Sequence, residues 1–149
     1  MAEKLATLSQ ESDISRIKLD DGKANAFSVD MLSQVNELLS QVPRDSGGLV
    51  ITGRDGLFSG GFDLKTMATG DMEKITKMVQ MGYRLLLELY SFDRPIIAAV
   101  SGHSIALGLF VTCSADYRIA IDGEYICQAN EVRNNMDIPT PITEILKAR

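Results

Sequence analysis

Two short runs, Gly48-Leu49-Val50-Ile51-Thr52 and Ile96-Ile97-Ala98-Ala99-Val100, each follow a stretch of helical apolar spacing that a proline closes. Their length and their glycine or proline boundaries mark them as buried strands rather than helices. The stretch before the first begins at Ser28, whose hydroxyl can cap a helix, and aligns Leu32, Val35, Leu38, Leu39 and Val42 on one face before Pro43. The stretch before the second begins behind Asp71 and aligns Ile75, Met78, Val79, Gly82, Leu85, Leu86 and Leu89 before Asp93-Arg94-Pro95. Ahead of both, Ile14 to Leu19 alternates apolar and polar as a half-buried strand does, and Asp20-Asp21-Gly22-Lys23 turns the chain. After them, Ser101-Gly102-His103 reads as a turn, and the run Ile105 to Cys113 is apolar enough to be a helix buried on most sides. Tyr117 to Ile121 alternates again as a strand, and Asp122-Gly123 turns into Tyr125-Ile126-Cys127. Strands and helices in such alternation predict an α/β layered fold.

Composition narrows the function. The chain has 149 residues, the size of one domain, with 45% hydrophobic residues to supply a core. Twenty acidic side chains against fifteen Lys plus Arg leave a net charge of −5, which disfavours a nucleic-acid partner. No apolar run approaches the roughly eighteen residues of a membrane span, and the first residues carry no leader pattern, so a cytoplasmic protein with no membrane partner is expected. Cys113 and Cys127 lack CxxC spacing and read as reduced core thiols. One histidine in the chain excludes a His-rich metal site.

Three motifs bear on chemistry. Gly102-His103-Ser104-Ile105-Ala106 lies between a strand and a helix, like a nucleophile elbow, but its only possible histidine base is the immediate neighbour of the serine, so no triad can form within the chain. His103 then reads as a turn residue or a hydrogen-bond donor at a helix start. The loop Gly56 to Gly61, with Lys65-Thr66 downstream, fails as a phosphate loop because Leu64 stands before the lysine. What remains is a pair of small-residue turns, Ser59-Gly60-Gly61 and Ala106-Leu107-Gly108, each at a strand end. Free N–H groups at two such turns can converge on one oxygen as an oxyanion hole, although glycine-rich turns are often only turns.

The turns sit within a larger pattern. Leu19 to Ser28, Phe58-Ser59-Gly60-Gly61-Phe62-Asp63-Leu64, Arg94 to His103, Ala115 to Ala120 and Asn130-Glu131-Val132 occur in that order, and from about Ile14 to about Leu146 the chain resembles the crotonase family of enoyl-CoA hydratases and isomerases. The resemblance implies a ClpP/crotonase-type α/β spiral of ββα units. It also implies an acyl-CoA thioester bound in a bent shape, its carbonyl oxygen held by two backbone N–H groups. Carried onto this chain, those donors are Gly60 and Leu107, and Ala24, Ala26, Ser59, Gly61, Phe62, Asp63, Leu64 and Phe110 line the substrate. Leu107 stands where glycine is usual, so a more crowded approach is expected there. Coenzyme A enters only as part of the substrate, and no metal or separate cofactor is implied. By family analogy the partner is a second copy, in a trimer or hexamer.

The hydratases of that family carry two glutamates. The first position is Phe110 in this chain, which cannot transfer a proton, and the second is Glu131. Hydration calls for a positioned water and a proton donor, whereas moving a double bond needs one carboxylate that takes a proton and returns it elsewhere. The single glutamate therefore points to an enoyl-CoA isomerase with Glu131 as proton shuttle. Hydratase, thioester hydrolase and a non-catalytic acyl-CoA-binding or assembly module stay open. Glu131 read alone is equally a solvated carboxylate, with Arg133 and Asn134 bulkier than the resemblance leads one to expect beside it. Asp63 read alone is a turn or helix cap, and Met67, Met72, Met78 and Met81 are core or acyl-pocket residues, core being favoured. Residues 1–149 are expected to form a single crotonase-like core domain. Full-length crotonases continue into a C-terminal helical segment, so the chain is either a natural short form or the core of a longer protein.

Overall fold

The computed structural model describes residues 3–131, 133 and 137–148. Strand β1 (Ala6–Glu11) turns at Ser12 and pairs antiparallel with β2 (Ile14–Leu19), from Ala6 opposite Leu19 to Glu11 opposite Ile14. The other strands of this sheet, β4 (Gly48–Thr52), β7 (Ile96–Val100) and β9 (Tyr117–Ala120), run parallel to β2, in the order β1-β2-β4-β7-β9. A second, parallel sheet has the order β10 (Cys127–Gln128), β8 (Gly102–Ile105), β5 (Gly56–Ser59), and a two-stranded one joins β3 (Ala26–Phe27) to β6 (Gly61–Phe62). Helices α1 (Val29–Ser40), α2 (Leu64–Ala68), α3 (Met72–Tyr90), α4 (Leu107–Ser114) and α5 (Thr140–Ala148) complete the chain.

The connectivity repeats. Each of β2, β4, β7 and β9 is followed by a strand of a smaller sheet and then by a helix, so the chain advances as successive ββα units. Helix α1 packs on α3, α3 on α4 and α4 on α5. Met31, Leu32, Val35 and Leu39 of α1 and Leu85, Leu86 and Leu89 of α3 form one core with Ile17, Leu19, Leu49, Ile51, Ile96 and Ala98 of the large sheet. The helix starts are those read from sequence: Ser28 accepts the N–H of Met31, and Asp71 that of Lys74. Among the described residues, no helix is long and apolar enough to cross a membrane.

Several local expectations need correction. β1 has no clear alternation, and it forms because the Ser12 turn returns it against β2. The loop read at Gly56 to Gly61 is strands β5 and β6, and the turn read at Gly102-His103 is the start of β8. These short strands were hidden because their partners are distant in sequence, His103 pairing with Leu57, for example. Helix α4 begins at Leu107, since Ile105 still belongs to β8. Strand β9 is at the sheet edge, and Tyr117 and Ile119 are 66% and 64% exposed, so its alternation does not mark a buried face. Of the supposed core thiols Cys113 is half-buried and Cys127 exposed, and Met72 is exposed on the first turn of α3, while Met78 is in the core.

Asn25 ties these layers together. It is fully buried with φ +47°, its amide donates to the Leu19 and Phe58 carbonyls at 3.0 and 3.2 Å, and its Oδ1 accepts the Asp21 N–H at 3.0 Å. One side chain thus links the end of β2 to β5. Asn25→Ala removes all three bonds and leaves alanine in a left-handed conformation, so urea unfolding should show a loss of about 3 kcal/mol.

Candidate active site

The site forms where two turns touch. Ser59, fully buried at the end of β5, donates its hydroxyl to the Asn25 carbonyl at 2.7 Å and accepts the Gly61 N–H at 3.1 Å. Gly61, with φ +91°, faces Ala106-Leu107: a Cβ at Gly61 would lie 2.9 Å from the Ala106 Cβ and the Ile105 carbonyl and 3.4 Å from the Leu107 nitrogen. Only glycine allows this approach. On the other turn Ala106 adopts φ 50° and ψ −122°, strained for a residue with a Cβ, while its N–H donates to the Gln128 carbonyl at 2.8 Å.

That conformation starts α4 at Leu107. As first residue of the helix, Leu107 has no intrahelical partner for its N–H, and no other partner occurs among the described residues. The amide therefore stands free at the positive end of an eight-residue helix. The Leu107 side chain packs towards Gly82 of α3, and the whole residue is fully buried, so the approach to its amide is close, in keeping with the crowding expected there. The fold changes the reading of Gly60. Its N–H donates to the Ala24 carbonyl at 2.9 Å, so the first donor of the expected pair is engaged, and a ligand oxygen must share it or displace Ala24.

The remaining substrate-contact candidates divide. Ala24, Ala26 and Asp63 line an open cleft of about 260 Å³, together with Lys23 and Lys65. Asp63 is the N-cap of α2. Burial raises the proton affinity of its carboxyl, but hydrogen bonds from Thr66 and Lys65, with the Lys65 charge, outweigh burial and hold it below the ordinary aspartate value. Phe62 is half-buried with its ring edge-on to Tyr83, centroids 6.4 Å apart, and Leu64 is 77% exposed on α2. Phe110 is 2% exposed inside α4: an aromatic side chain on this apolar helix turns into the core, so it is a packing residue in this structure rather than an open wall.

Glu131 is not a solvated carboxylate. It is only 8% exposed, and its Oε2 is buried with no hydrogen-bond partner among the described residues. Its neighbour Asn134 lies outside the described residues. Tyr83 of α3 is close enough for the Glu131 charge to act on it: burial first, and that charge second, push the phenol ionisation above the ordinary tyrosine value. Sequence reasoning passed over Tyr83, since one aromatic in an amphipathic helix carries no signal. His103 accepts the Ile126 N–H on Nδ1 at 3.0 Å, an acceptor rather than the expected donor, because it sits in β8. Ser104 is fully buried, and its hydroxyl has no hydrogen-bond partner among the described residues. Among the described residues no cluster of three or more His, Cys, Asp or Glu could hold a metal ion.

Successive ββα units with a free helix-start amide facing a glycine turn define a crotonase fold, and comparison with known proteins agrees. The family model for enoyl-CoA hydratase/isomerase matches residues 9–133, and the chain belongs to that family. It is 27% identical to enoyl-CoA delta isomerase 3 of Arabidopsis thaliana, over 97% of this chain and 63% of that protein. The structure of a probable enoyl-CoA hydratase from Mycobacterium tuberculosis superposes with a TM-score of 0.91 at 38% identity, covering 97% of this chain and 61% of that one. An apo Mycobacterium tuberculosis structure described as an enoyl-CoA isomerase gives 0.90 at 37% identity, covering 99% and 64%. The chain thus spans less than two thirds of the length of these relatives.

The contact between the turns can be tested from both sides. Gly61→Ala forces a Cβ into Ala106 at a positive φ and should cost roughly 3 kcal/mol in urea unfolding. Ala106→Gly relieves strain and should stabilise by about 1 kcal/mol, with the helix start unchanged. Asp63→Ala should cost about 1 kcal/mol near neutral pH. Because the folded-state value of Asp63 is depressed, that difference is present above the ordinary aspartate value and should disappear as pH falls through the folded one.

Proposed function

We propose that the chain binds an acyl-CoA thioester, polarises its carbonyl with the Leu107 N–H and a shared or released Gly60 N–H, and uses Glu131 as the proton shuttle of an enoyl-CoA isomerase. The observation that carries this reading is the buried Glu131 carboxylate with an unpartnered oxygen, in a fold whose other candidate acid position is the buried Phe110. A desolvated carboxylate without partners is costly unless something comes to meet it, and a substrate C–H proton is what a general base needs. Glu131 takes the proton from the carbon next to the thioester carbonyl, and the C–H electron pair moves onto the carbonyl oxygen as an enolate conjugated with the double bond. The proton returns at the far end of that system, which moves the double bond. Charge on the oxygen meets the Leu107 amide and the α4 dipole, and one such donor contributes about 3 kcal/mol to the transition state.

In this reading the nucleotide end of coenzyme A lies towards the cleft beside Ala24 and Ala26, where Lys23 and Lys65 would have to meet its phosphates against Glu3, Asp21, Asp30 and Asp63 of the same lining. The same reading includes assembly as a trimer or hexamer in the cytoplasm. A second reading, a non-catalytic acyl-CoA-binding module, draws on the engaged Gly60 amide.

Hydrogen–deuterium exchange next to the thioester carbonyl, followed with a panel of saturated and unsaturated acyl-CoAs, separates these readings. The isomerase reading expects exchange and a moved double bond, and Glu131→Gln should lower kcat by about a thousandfold with KM nearly unchanged. Release of free coenzyme A, or net addition of water, would point to hydrolase or hydratase chemistry. Binding without any exchange would establish the non-catalytic module.

A further inference from the structure

The chain holds one histidine, and its ring closes a clasp on the strand that leads to Glu131. His103 lies on β8, which pairs with β5 on one side and with β10 on the other. Its Nδ1 accepts the Ile126 N–H at 3.0 Å, while the Ser104 N–H donates to the Ile126 carbonyl at 2.9 Å, so Ile126 is held through both of its backbone groups. The Tyr125 ring stands edge-on to the imidazole, centroids 5.3 Å apart and planes at 80°. The same ring rests on Gly123, where a Cβ would come within 2.7 Å of it. Strand β10 has only two residues, with the Ala106 N–H donating to the Gln128 carbonyl at 2.8 Å, and Glu131 follows three residues later. The donors at Ser104 and Ala106 are backbone groups that do not titrate, whereas the acceptor at His103 does.

We propose that His103 is a positioning residue for Glu131: its unprotonated Nδ1 clasps Ile126 and so steadies the segment that carries the carboxylate, and protonation of the ring releases the clasp. The effect on rate rests on the proton-shuttle reading above, whereas the clasp itself does not. A neutral imidazole has one N–H and one bare nitrogen, and an imidazolium has two N–H groups and no acceptor. Here Nδ1 accepts, so the single ring proton lies on Nε2. A second proton can enter only at Nδ1, the atom to which the Ile126 N–H donates, so bond and proton exclude each other. Two N–H groups would then face one another, and Ile126 must move away. The ring is half-buried and Ile126 is 52% exposed, so solvent reaches the bond. The titratable and charged groups on the elements around it are Arg54 and Asp55 ahead of β5, Asp122, Glu124, Tyr125 and Cys127 on the segment through β10, and Cys113 on α4. Among the described residues none of the carboxylates forms an ion pair with His103. The clasp is therefore closed on the alkaline side of the imidazole titration and is lost as pH falls through it.

The single histidine makes the test direct, because its ring signals belong to one residue. In nuclear magnetic resonance spectra of the parent chain without substrate, the ring nitrogens should show the proton on Nε2 at about pH 8. Between about pH 8 and pH 5 the Ile126 amide signal should move with the same midpoint as the ring. His103→Asn offers an amide oxygen in place of Nδ1, an acceptor that does not titrate, so its Ile126 amide should stay still over that range. His103→Leu removes the acceptor, and its Ile126 amide should exchange with solvent about threefold to tenfold faster at the alkaline end, the size of one ordinary hydrogen bond. With an acyl-CoA that exchanges, kcat of the parent should fall by about the same factor as the ring takes its second proton, a step absent from His103→Asn. A residue with only a packing role would not be rescued by asparagine in this way. A ring proton on Nδ1 at the alkaline end, or an Ile126 amide indifferent to the ring titration, overturns the clasp and leaves the proton-shuttle reading intact. A coupled amide with the same kcat profile in parent and His103→Asn overturns the positioning of Glu131. Absence of exchange in the parent with every acyl-CoA overturns the proton-shuttle reading and the effect on rate, while the spectra still decide the clasp.

Discussion

The close approach of Gly61 to Ala106-Leu107 is the constraint on which the rest of the site depends. The two turns come from different ββα units and follow strands β5 and β8, which pair directly, so their separation is fixed by sheet hydrogen bonding before any ligand arrives. Both turns hold backbone conformations with positive φ, at Gly61 and at Ala106. The glycine takes its conformation without penalty, and the alanine bears strain of order 1–3 kcal/mol. What the strain secures is the direction of one N–H: with Ala106 outside the helix, Leu107 becomes the first helical residue, its side chain goes into the core, and its amide is left without a partner. Buried hydrogen bonds from Ser59 and Asn25 brace the opposite turn.

Against this rigid frame the acid–base equipment is sparse. Phe110 fills α4 where a second carboxylate would stand, and burial of its ring adds to the core on which α3 and α5 pack. Chemistry that moves one proton along a conjugated system needs only one buried carboxylate and a means of keeping it oriented. The names of the relatives divide between hydratase and isomerase.

Much of this was legible in the sequence, for reasons that can be stated residue by residue. The caps Ser28 and Asp71 and the five-residue runs of β4 and β7 depend on local periodicity and lie where the sequence places them, while the apolar α4 starts two residues later than its run. Motif order identified the family. Three things were not legible. Short strands such as β5, β6 and β8 exist only through pairing with distant partners, and no window of a few residues reports that. The bond from Gly60 to Ala24 joins residues 36 apart in sequence. The placement of Tyr83 against Phe62 depends on how α3 lies across β6 and α4, which periodicity, blind to the angle between elements, does not encode.

The two halves of the site also differ in how firmly they are held. Gly61 and Leu107 are anchored by paired strands, a buried asparagine and the core. Glu131 follows β10, a strand of two residues held to β8 at Cys127 and Gln128 and steadied by the bonds from Ile126 N–H to His103 and from Ala106 N–H to the Gln128 carbonyl. The chain leading to it, from Tyr117 to Cys127, is exposed throughout, with Tyr117, Ile119, Ile121 and Ile126 all more than half open to solvent. Local stability follows buried contacts, so the side with Gly61 and Leu107 should open only with global unfolding, while the glutamate side can open at lower cost. The bond from the Ala106 N–H to Gln128 connects them: the residue whose strain aims the Leu107 amide is also the one that holds the strand carrying the chain to Glu131. Covering the exposed apolar edge at β9 would therefore tighten the segment that carries Glu131 without changing the turns at Gly61 and Ala106.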